Sequence, residues 1–231
     1  MPPVPNDNYT NSALRIGDVD PYPQRLVGEF IAKVVSNEWV NEEYKHLVLK
    51  VHPHALKASA GQMFHLLCPS PDGAEVWMRR PMSVYRVEKD AGQVEFLYKC
   101  EGRGTRGMAT LQPGDDFNIA GPLGHGFALK PAWRNIVVLG RGVGLATLAP
   151  LSQLAAENRV GVTAILSARN SNVVMSRELF EGLGAKTIRV LDSDGSSAVE
   201  NVEKILEGLI AEKKADAFFT CGSNRLLKLM Q

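Results

Sequence analysis

Asn135-Ile136-Val137-Val138-Leu139-Gly140-Arg141-Gly142-Val143-Gly144 divides this chain into two kinds of sequence. Its first half is an unbroken apolar run that ends in glycine. A strand with one wet face alternates apolar and polar residues. An unbroken run suits a strand covered on both faces, as in a parallel sheet flanked by helices. The second half is a glycine-rich turn that leads into a helical stretch at 145–157. Strand-like and helix-like segments then alternate: Val160 to Leu166, a helix from Ser176 to Leu183, Thr187 to Leu191, a helix from Val199 to Lys213, Ala217 to Thr220, and a last helix from Arg225 to Gln231. Val202, Ile205, Leu206, Leu209 and Ile210 form one stripe on the longest of these helices. Alternation of this kind implies a parallel sheet with right-handed crossovers.

Upstream of about residue 131 the period is two. Leu47, Leu49 and Val51 form one such series, Phe64, Leu66 and Cys68 a second, and Val94, Phe96, Tyr98 and Cys100 a third. Turn signals separate them at Pro71-Asp72-Gly73, Asp90-Ala91-Gly92, Pro113-Gly114-Asp115 and Gly121-Pro122-Leu123-Gly124. Many short strands at near-regular spacing indicate an antiparallel barrel. One short helix is expected after Gly104-Thr105, passing through Met108 and Leu111 and stopping at Pro113-Gly114. The chain thus divides into a flexible extension at 1–24, a β-barrel domain at 25–130 and an α/β domain at 131–231, whose last helix reads as cut short.

The 231 residues are enough for two domains of about 100 residues each. A hydrophobic fraction of 45% and a charged fraction of 22% are ordinary for a soluble globular protein. A formal net charge of +1 offers no reason to expect nucleic acid as a partner. No apolar run approaches the roughly 18 residues of a membrane span, so no membrane partner is expected. The N-terminus lacks a basic head followed by an apolar stretch, and a cytoplasmic location is expected. Cys68, Cys100 and Cys221 are too few and too scattered for a disulfide framework or a metal site.

Gly140-Arg141-Gly142-Val143-Gly144 sits between a buried strand and a helix. Glycines there let the backbone turn sharply and approach a pyrophosphate, which the free N–H groups of the helix N-terminus attract. The spacing is not the G-x-G-x-x-G fingerprint, and no Asp or Glu closes the second strand. Cys221-Gly222 closes the fourth strand, at the sheet edge where open α/β sheets bind ligands. Arg169, just after the second strand, is placed where a cation can meet a 2′-phosphate. In the barrel half, Arg79-Arg80-Pro81-Met82-Ser83-Val84-Tyr85 offers a guanidinium suited to bidentate phosphate contact, a proline that keeps the backbone extended, and a hydroxyl. Gly102-Arg103-Gly104-Thr105 precedes a short helix whose amides suit a second phosphate contact. Together these features point to a flavin bound beside a pyridine nucleotide.

The stretches RRPMSVY, LYKCEGRGT, GPLGHGF and LGRGVGLA, with the Cys221-Gly222 ending, resemble the ferredoxin-NADP reductase superfamily over about residues 28–227. Within it they are similar to the dihydroorotate dehydrogenase electron-transfer subunits of pyrimidine biosynthesis. The resemblance implies an antiparallel six-stranded Greek-key barrel that holds FAD, followed by a parallel-sheet domain that brings NADH. It places FAD against Arg80, Pro81, Met82, Ser83, Leu97, Tyr98, Lys99, Gly104 and Thr105. It places NAD(P) against Gly140, Gly142, Val143, Gly144, Arg169, Cys221 and Gly222. Hydride passes to flavin and electrons leave singly to a protein acceptor or catalytic subunit, in a homodimer or heterotetramer. The flavin carries the chemistry and the protein supplies position and electrostatics. No general acid or base is expected, with Cys221 set near the nicotinamide. His125 reads as structural, and His46, His52, His54 and His65 show no carboxylate or cysteine pattern around them.

Three departures from the family pattern matter. Met82 stands where many members carry tyrosine. Arg141 and Thr147 replace the glycine and proline usual in the nucleotide loop. Three cysteines cannot supply the four thiolates of the subunits' [2Fe–2S] cluster, so no cluster ligands, and no metal, are expected in this chain. NADH is favoured over NADPH. A reductase component of an oxygenase or hydrogenase-type complex, and a non-catalytic flavin or nucleotide-binding module, stay as alternatives.

Overall fold

The computed structural model describes residues 13–21, 23–70 and 78–230, so the expected turn at Pro71-Asp72-Gly73 lies outside them. The chain forms two sheets. The first contains β1 (Leu14–Arg15), β2 (Gly28–Trp39), β3 (Tyr44–Lys50), β4 (Met63–Leu66), β5 (Arg80–Ser83), β6 (Arg86–Glu88), β7 (Gln93–Lys99) and β8 (Asp116–Leu123), with helix α1 (Arg103–Met108) between the last two. The second contains β9 (Asn135–Arg141), β10 (Gly161–Ala168), β11 (Lys186–Leu191) and β12 (Ala217–Cys221), with helices α2 (Gly144–Glu157), α3 (Arg177–Gly182), α4 (Val199–Ala211) and α5 (Asn224–Leu229).

The strand order of the first sheet is β5-β4-β8-β2-β3-β7-β6. β5 and β6 are two halves of one stave, bent at Val84-Tyr85. One half pairs with β4 and the other with β7, at opposite ends of the path. The stave therefore closes the path into the six-stranded antiparallel barrel expected. Phe30, Leu47, Leu49, Phe64, Leu66, Phe96 and Ile119 fill the interior from alternate positions. Gly121 admits the ring of Phe64: a Cβ there would sit 2.4 Å from it.

Residues 1–12 of the expected extension lie outside the described residues, but β1 shows that the chain from Leu14 is not loose. Leu14 and Arg15 pair in parallel with Phe30 and Ile31, and Leu14 is buried in the barrel core. His54 Nδ1 lies 2.8 Å from Asp20 Oδ2, with both side chains almost fully buried. His52 Nε2 lies 3.0 Å from the Asp18 carbonyl oxygen. Residues 14–20 are thus packed on the barrel by contacts that no local sequence pattern announces.

In the second sheet the order is β11-β10-β9-β12, all parallel. The apolar run of β9 serves two cores. Ile136 and Val138 pack with Leu145, Leu148 and Phe180 of α2 and α3. Val137 and Leu139 pack with Val202, Leu206 and Leu209 of α4. That double duty is why the run does not alternate. Of the predicted α4 stripe, Ile210 is exposed rather than buried. Among the described residues no helix is long and apolar enough to cross a membrane.

Candidate functional site

The bend in the β5/β6 stave creates the first part of the site. β6 pairs with β7 up to Arg86↔Glu95, and the Tyr85 N–H still donates to the Glu95 carbonyl at 2.9 Å. Upstream the stave follows β4 instead, with Ser83 opposite Met63 and Arg80 opposite Leu66. Arg80–Ser83 and Leu97–Lys99 therefore diverge. Main-chain groups alternate sides along an antiparallel strand. Cys100 N–H donates to the Glu43 carbonyl of the β3 side at 2.9 Å. The alternation then aims the N–H and C=O groups of Leu97 and Lys99 into the opening.

Arg80 stands at one end of this opening. Its guanidinium donates to the Met78 carbonyl at 2.6 Å and has no carboxylate partner among the described residues. It lies against Gly104, where a Cβ would sit 2.9 Å from Nε. The first helical bond of α1 is Arg106 N–H to Gly102 C=O at 2.9 Å, so the N–H groups just before it have no partner within the helix. A guanidinium, the amides at the start of α1 and a bare glycine form a cradle that suits a phosphate. The Thr105 hydroxyl is already used: it accepts from Glu101 N–H and Gly102 N–H and donates to Gly102 C=O. Thr105 thus shapes the turn and has only its main chain left for a ligand.

Two of the residues expected against FAD turn their side chains to the core. Tyr98 faces the barrel interior, where its hydroxyl donates to Asn37 Oδ1 at 3.0 Å, and burial raises its pKa. Met82, opposite Phe64, packs on the same core. Strand alternation puts both side chains on the face away from Ser83, Leu97 and Lys99. Pro81 is exposed at the rim. We expect Tyr98→Phe to lower unfolding free energy by about 1–3 kcal/mol, the cost of stranding a buried acceptor. Flavin content should match that of the parent protein; denaturant titration and visible absorbance check the two outcomes separately.

The barrel face beside the opening meets the α/β half directly. Tyr44, Tyr85 and Leu97 share a buried cluster with Leu145, Ala149 and Met175. Thr147 Oγ1 donates to Ser83 Oγ at 2.9 Å, so the residue that replaces the usual proline holds the hydroxyl at the end of β5. The Tyr85 hydroxyl donates to Ser176 Oγ at 3.1 Å, and burial raises its pKa.

β9 and β12 lie side by side, with Gly140 opposite Cys221. The chain runs outward through β10 and β11 before returning to β12, so the ends of β9 and β12 flank the point where strand order reverses. Open α/β sheets bind ligands at that point. Two glycines let the loops meet there. A Cβ on Gly144 would sit 2.3 Å from the Cys221 carbonyl oxygen. One on Gly222, whose φ is +117, would sit 2.5 Å from the Arg141 carbonyl oxygen. Gly142 lies under the Tyr44 hydroxyl, which a Cβ would approach to 2.7 Å. Val143 is exposed at the helix start.

Arg141 turns along the sheet edge. It donates to Ser167 Oγ at 3.0 Å and to both oxygens of Asp192 at 3.1 and 2.6 Å. Those hydrogen bonds, with one from Ser197, hold the Asp192 carboxyl below the ordinary carboxylate range. Arg169 forms an ion pair with Glu43 of the barrel, and Lys99 Nζ lies 3.7 Å from the same carboxylate. These groups line a cleft of about 230 Å³ with Tyr44, Gly142, Ala168 and Val173. A second cleft, of about 590 Å³, contains His46, whose Nε2 lies 2.8 Å from Glu95 Oε2. His46 and His54 thus have carboxylate partners that their sequence surroundings do not show. His125 is exposed on its turn.

The structure therefore brings Ser83, Leu97 and Lys99 to the opening, with Arg80, Gly104 and Thr105 at one end. It brings Gly140, Gly142, Gly144, Cys221 and Gly222 to the adjoining sheet edge. Sequence reasoning missed Glu43, Tyr44 and Asp192, which have no motif and matter only because the fold places them.

Residues 31–127 match the family described as the oxidoreductase FAD-binding domain. The electron-transfer subunit of dihydroorotate dehydrogenase B (NAD(+)) from Geobacillus thermodenitrificans is 29% identical over 209 residues, covering 89% of this chain and 79% of the relative. The corresponding subunit from Enterococcus faecalis is 31% identical over 171 residues, covering 73% of this chain and 64% of the relative. In fold, the chain is similar to an NADH-dependent reduced ferredoxin-NADP oxidoreductase, with a TM-score of 0.72, 24% identity, and coverage of 86% of this chain and 70% of that one. It is also similar to ferredoxin-NADP+ reductase from Plasmodium falciparum, with a TM-score of 0.69, 12% identity, and coverage of 87% and 89%. The FAD-binding match spans most of the barrel, and both the relatives and the shared fold continue through the parallel sheet: the chain is a flavin oxidoreductase whose fold is similar to that of the ferredoxin-NADP reductases.

Proposed function

We propose that this protein takes electrons from a reduced pyridine nucleotide into FAD and passes them to a partner protein, in the manner of a dihydroorotate dehydrogenase electron-transfer subunit. The observation that carries the reading is the divergence of Arg80–Ser83 from Leu97–Lys99, which faces the sheet edge at Gly140–Gly144 and Cys221-Gly222. Arg80, the α1 amides and Thr105 would hold the FAD phosphates, and Ser83 with the main chain of Leu97 and Lys99 would hold the ring. We place the division between the FAD-binding and nucleotide-binding domains at about residue 130, between the ends of β8 and β9. FAD, when bound, supplies the step from two-electron to one-electron transfer. The protein orients the two ligands and keeps water out through the Tyr44, Tyr85 and Leu97 contact.

NADH is the donor we infer, because Arg141 and Arg169 are each already matched by a carboxylate. The test is anaerobic titration of the purified, FAD-loaded protein with NADH, followed by visible absorbance. Bleaching of a yellow protein is expected. A colourless protein that FAD cannot reconstitute would overturn the reading. Electrons should then leave the reduced protein when a dihydroorotate dehydrogenase catalytic subunit is added.

A further inference from the structure

Resting on that functional reading, we propose that Glu43, a barrel residue, is the acidic group that sets nucleotide preference in the neighbouring domain. No Asp or Glu closes β10: its end reads Leu166-Ser167-Ala168-Arg169. In a doubly wound sheet that position commonly supplies the carboxylate that accepts the ribose 2′-hydroxyl. An arginine there instead accommodates a 2′-phosphate. Arg169 on its own would favour the phosphorylated nucleotide.

The fold reverses that preference by supplying a carboxylate from the other half of the chain. Glu43, just before β3, forms the ion pair with Arg169 and lies within 3.7 Å of Lys99 Nζ. Its main chain is held as well, because its carbonyl accepts from Cys100 N–H at 2.9 Å and its N–H donates to Asn41 Oδ1 at 3.0 Å. The Glu43 side chain is 21% exposed and that of Arg169 is 58% exposed, so the carboxylate is the more fixed partner. Arg141, the other nearby guanidinium at this edge, is occupied by Asp192.

A 2′-phosphate entering beside Arg169 would have to displace Glu43 or accept a carboxylate as its neighbour. Either costs Coulomb energy that a 2′-hydroxyl does not incur. The hydroxyl gains an acceptor instead. Because Glu43 belongs to the barrel, nucleotide choice also depends on the two halves being closed against each other.

The experiment compares Glu43→Gln with the parent, both loaded with FAD, by stopped-flow flavin reduction with NADH and NADPH. We expect the NADPH-to-NADH ratio of second-order rate constants to rise about tenfold, equivalent to about 1.4 kcal/mol. The gain should shrink in the double variant Glu43→Gln/Arg169→Gln, which removes the Arg169 cation and leaves in the cleft only Lys99 and the Asp192-paired Arg141. Calorimetric titration with 2′,5′-ADP and 5′-AMP gives a readout independent of flavin and of turnover. It should show the same shift towards the 2′-phosphorylated ligand, even if Glu43→Gln holds flavin poorly. An unchanged ratio in both measurements, or a gain undiminished in the double variant, would overturn the role of Glu43. A parent protein reduced by neither nucleotide would instead overturn the functional reading itself.

Discussion

Replacing Arg80 with alanine is expected to strip most of the flavin from the purified protein. Arg80 is the cation beside the α1 amides, and no carboxylate among the described residues competes for it. A charge-assisted hydrogen bond contributes about 1.5–3 kcal/mol, and a guanidinium can make two to one phosphate. The dissociation constant for FAD should therefore rise by at least about tenfold, and beyond about a hundredfold if both bonds form. Lysine at the same position should restore only part of the loss, because an ammonium cannot make the planar bidentate contact. The ratio of flavin to protein absorbance after gel filtration, followed by FAD titration, measures the effect. The fold should be little disturbed, since among the described residues the side chain donates one hydrogen bond, to the Met78 carbonyl. Full flavin occupancy in Arg80→Ala would remove this residue from the phosphate cradle.

The second large effect is expected at Gly144. A methyl group there would meet the Cys221 carbonyl oxygen at 2.3 Å, a main-chain atom of the neighbouring strand that cannot rotate away. Gly144→Ala must push the start of α2 away from the end of β12. Overpacking of this kind costs about 1–3 kcal/mol. The larger consequence is positional, because the two loops that would hold the nucleotide against the flavin move apart. A displacement of about 1 Å can reduce the rate of a reaction by about 10²-fold. Flavin reduction by NADH should fall by about that factor while FAD content stays near that of the parent, since the barrel cradle is untouched. Loss of both together would mean that the damage is global. Parental reduction rates would mean that the contact between the β9 and β12 ends does not control nucleotide placement.

These two residues show how much of the site was legible along the chain. Arg80 and Gly144 were both readable because each sits in a short local pattern: an arginine, proline and serine on one extended strand, and glycines between a buried run and a helix. The nature of each half was readable for the same reason, since a period of two and an unbroken apolar run are local signatures of half-buried and fully buried strands. The inward turn of the Tyr98 and Met82 side chains was not legible, because neighbours in sequence on a strand point to opposite faces. A motif names a stretch of chain, whereas only the register against β3 and β4 decides which of its side chains faces the ligand and which faces the core.

The sequence by itself determined that a barrel precedes a parallel sheet, and where the cation proposed for the phosphate and the glycine turns lie. Hydrophobic period and turn chemistry act over a few residues, so a linear reading captures them. The tertiary structure alone decided that residues 14–20 pack on the barrel and that the β5/β6 stave bends to open the barrel wall. It also decided that Arg169 meets its carboxylate from Glu43, which lies 126 positions away in the chain but in the same cleft. Electrostatic and hydrogen-bond partners are set by distance in space. Closure of the two halves against Tyr44, Tyr85 and Leu97 creates those distances, and no local pattern encodes them.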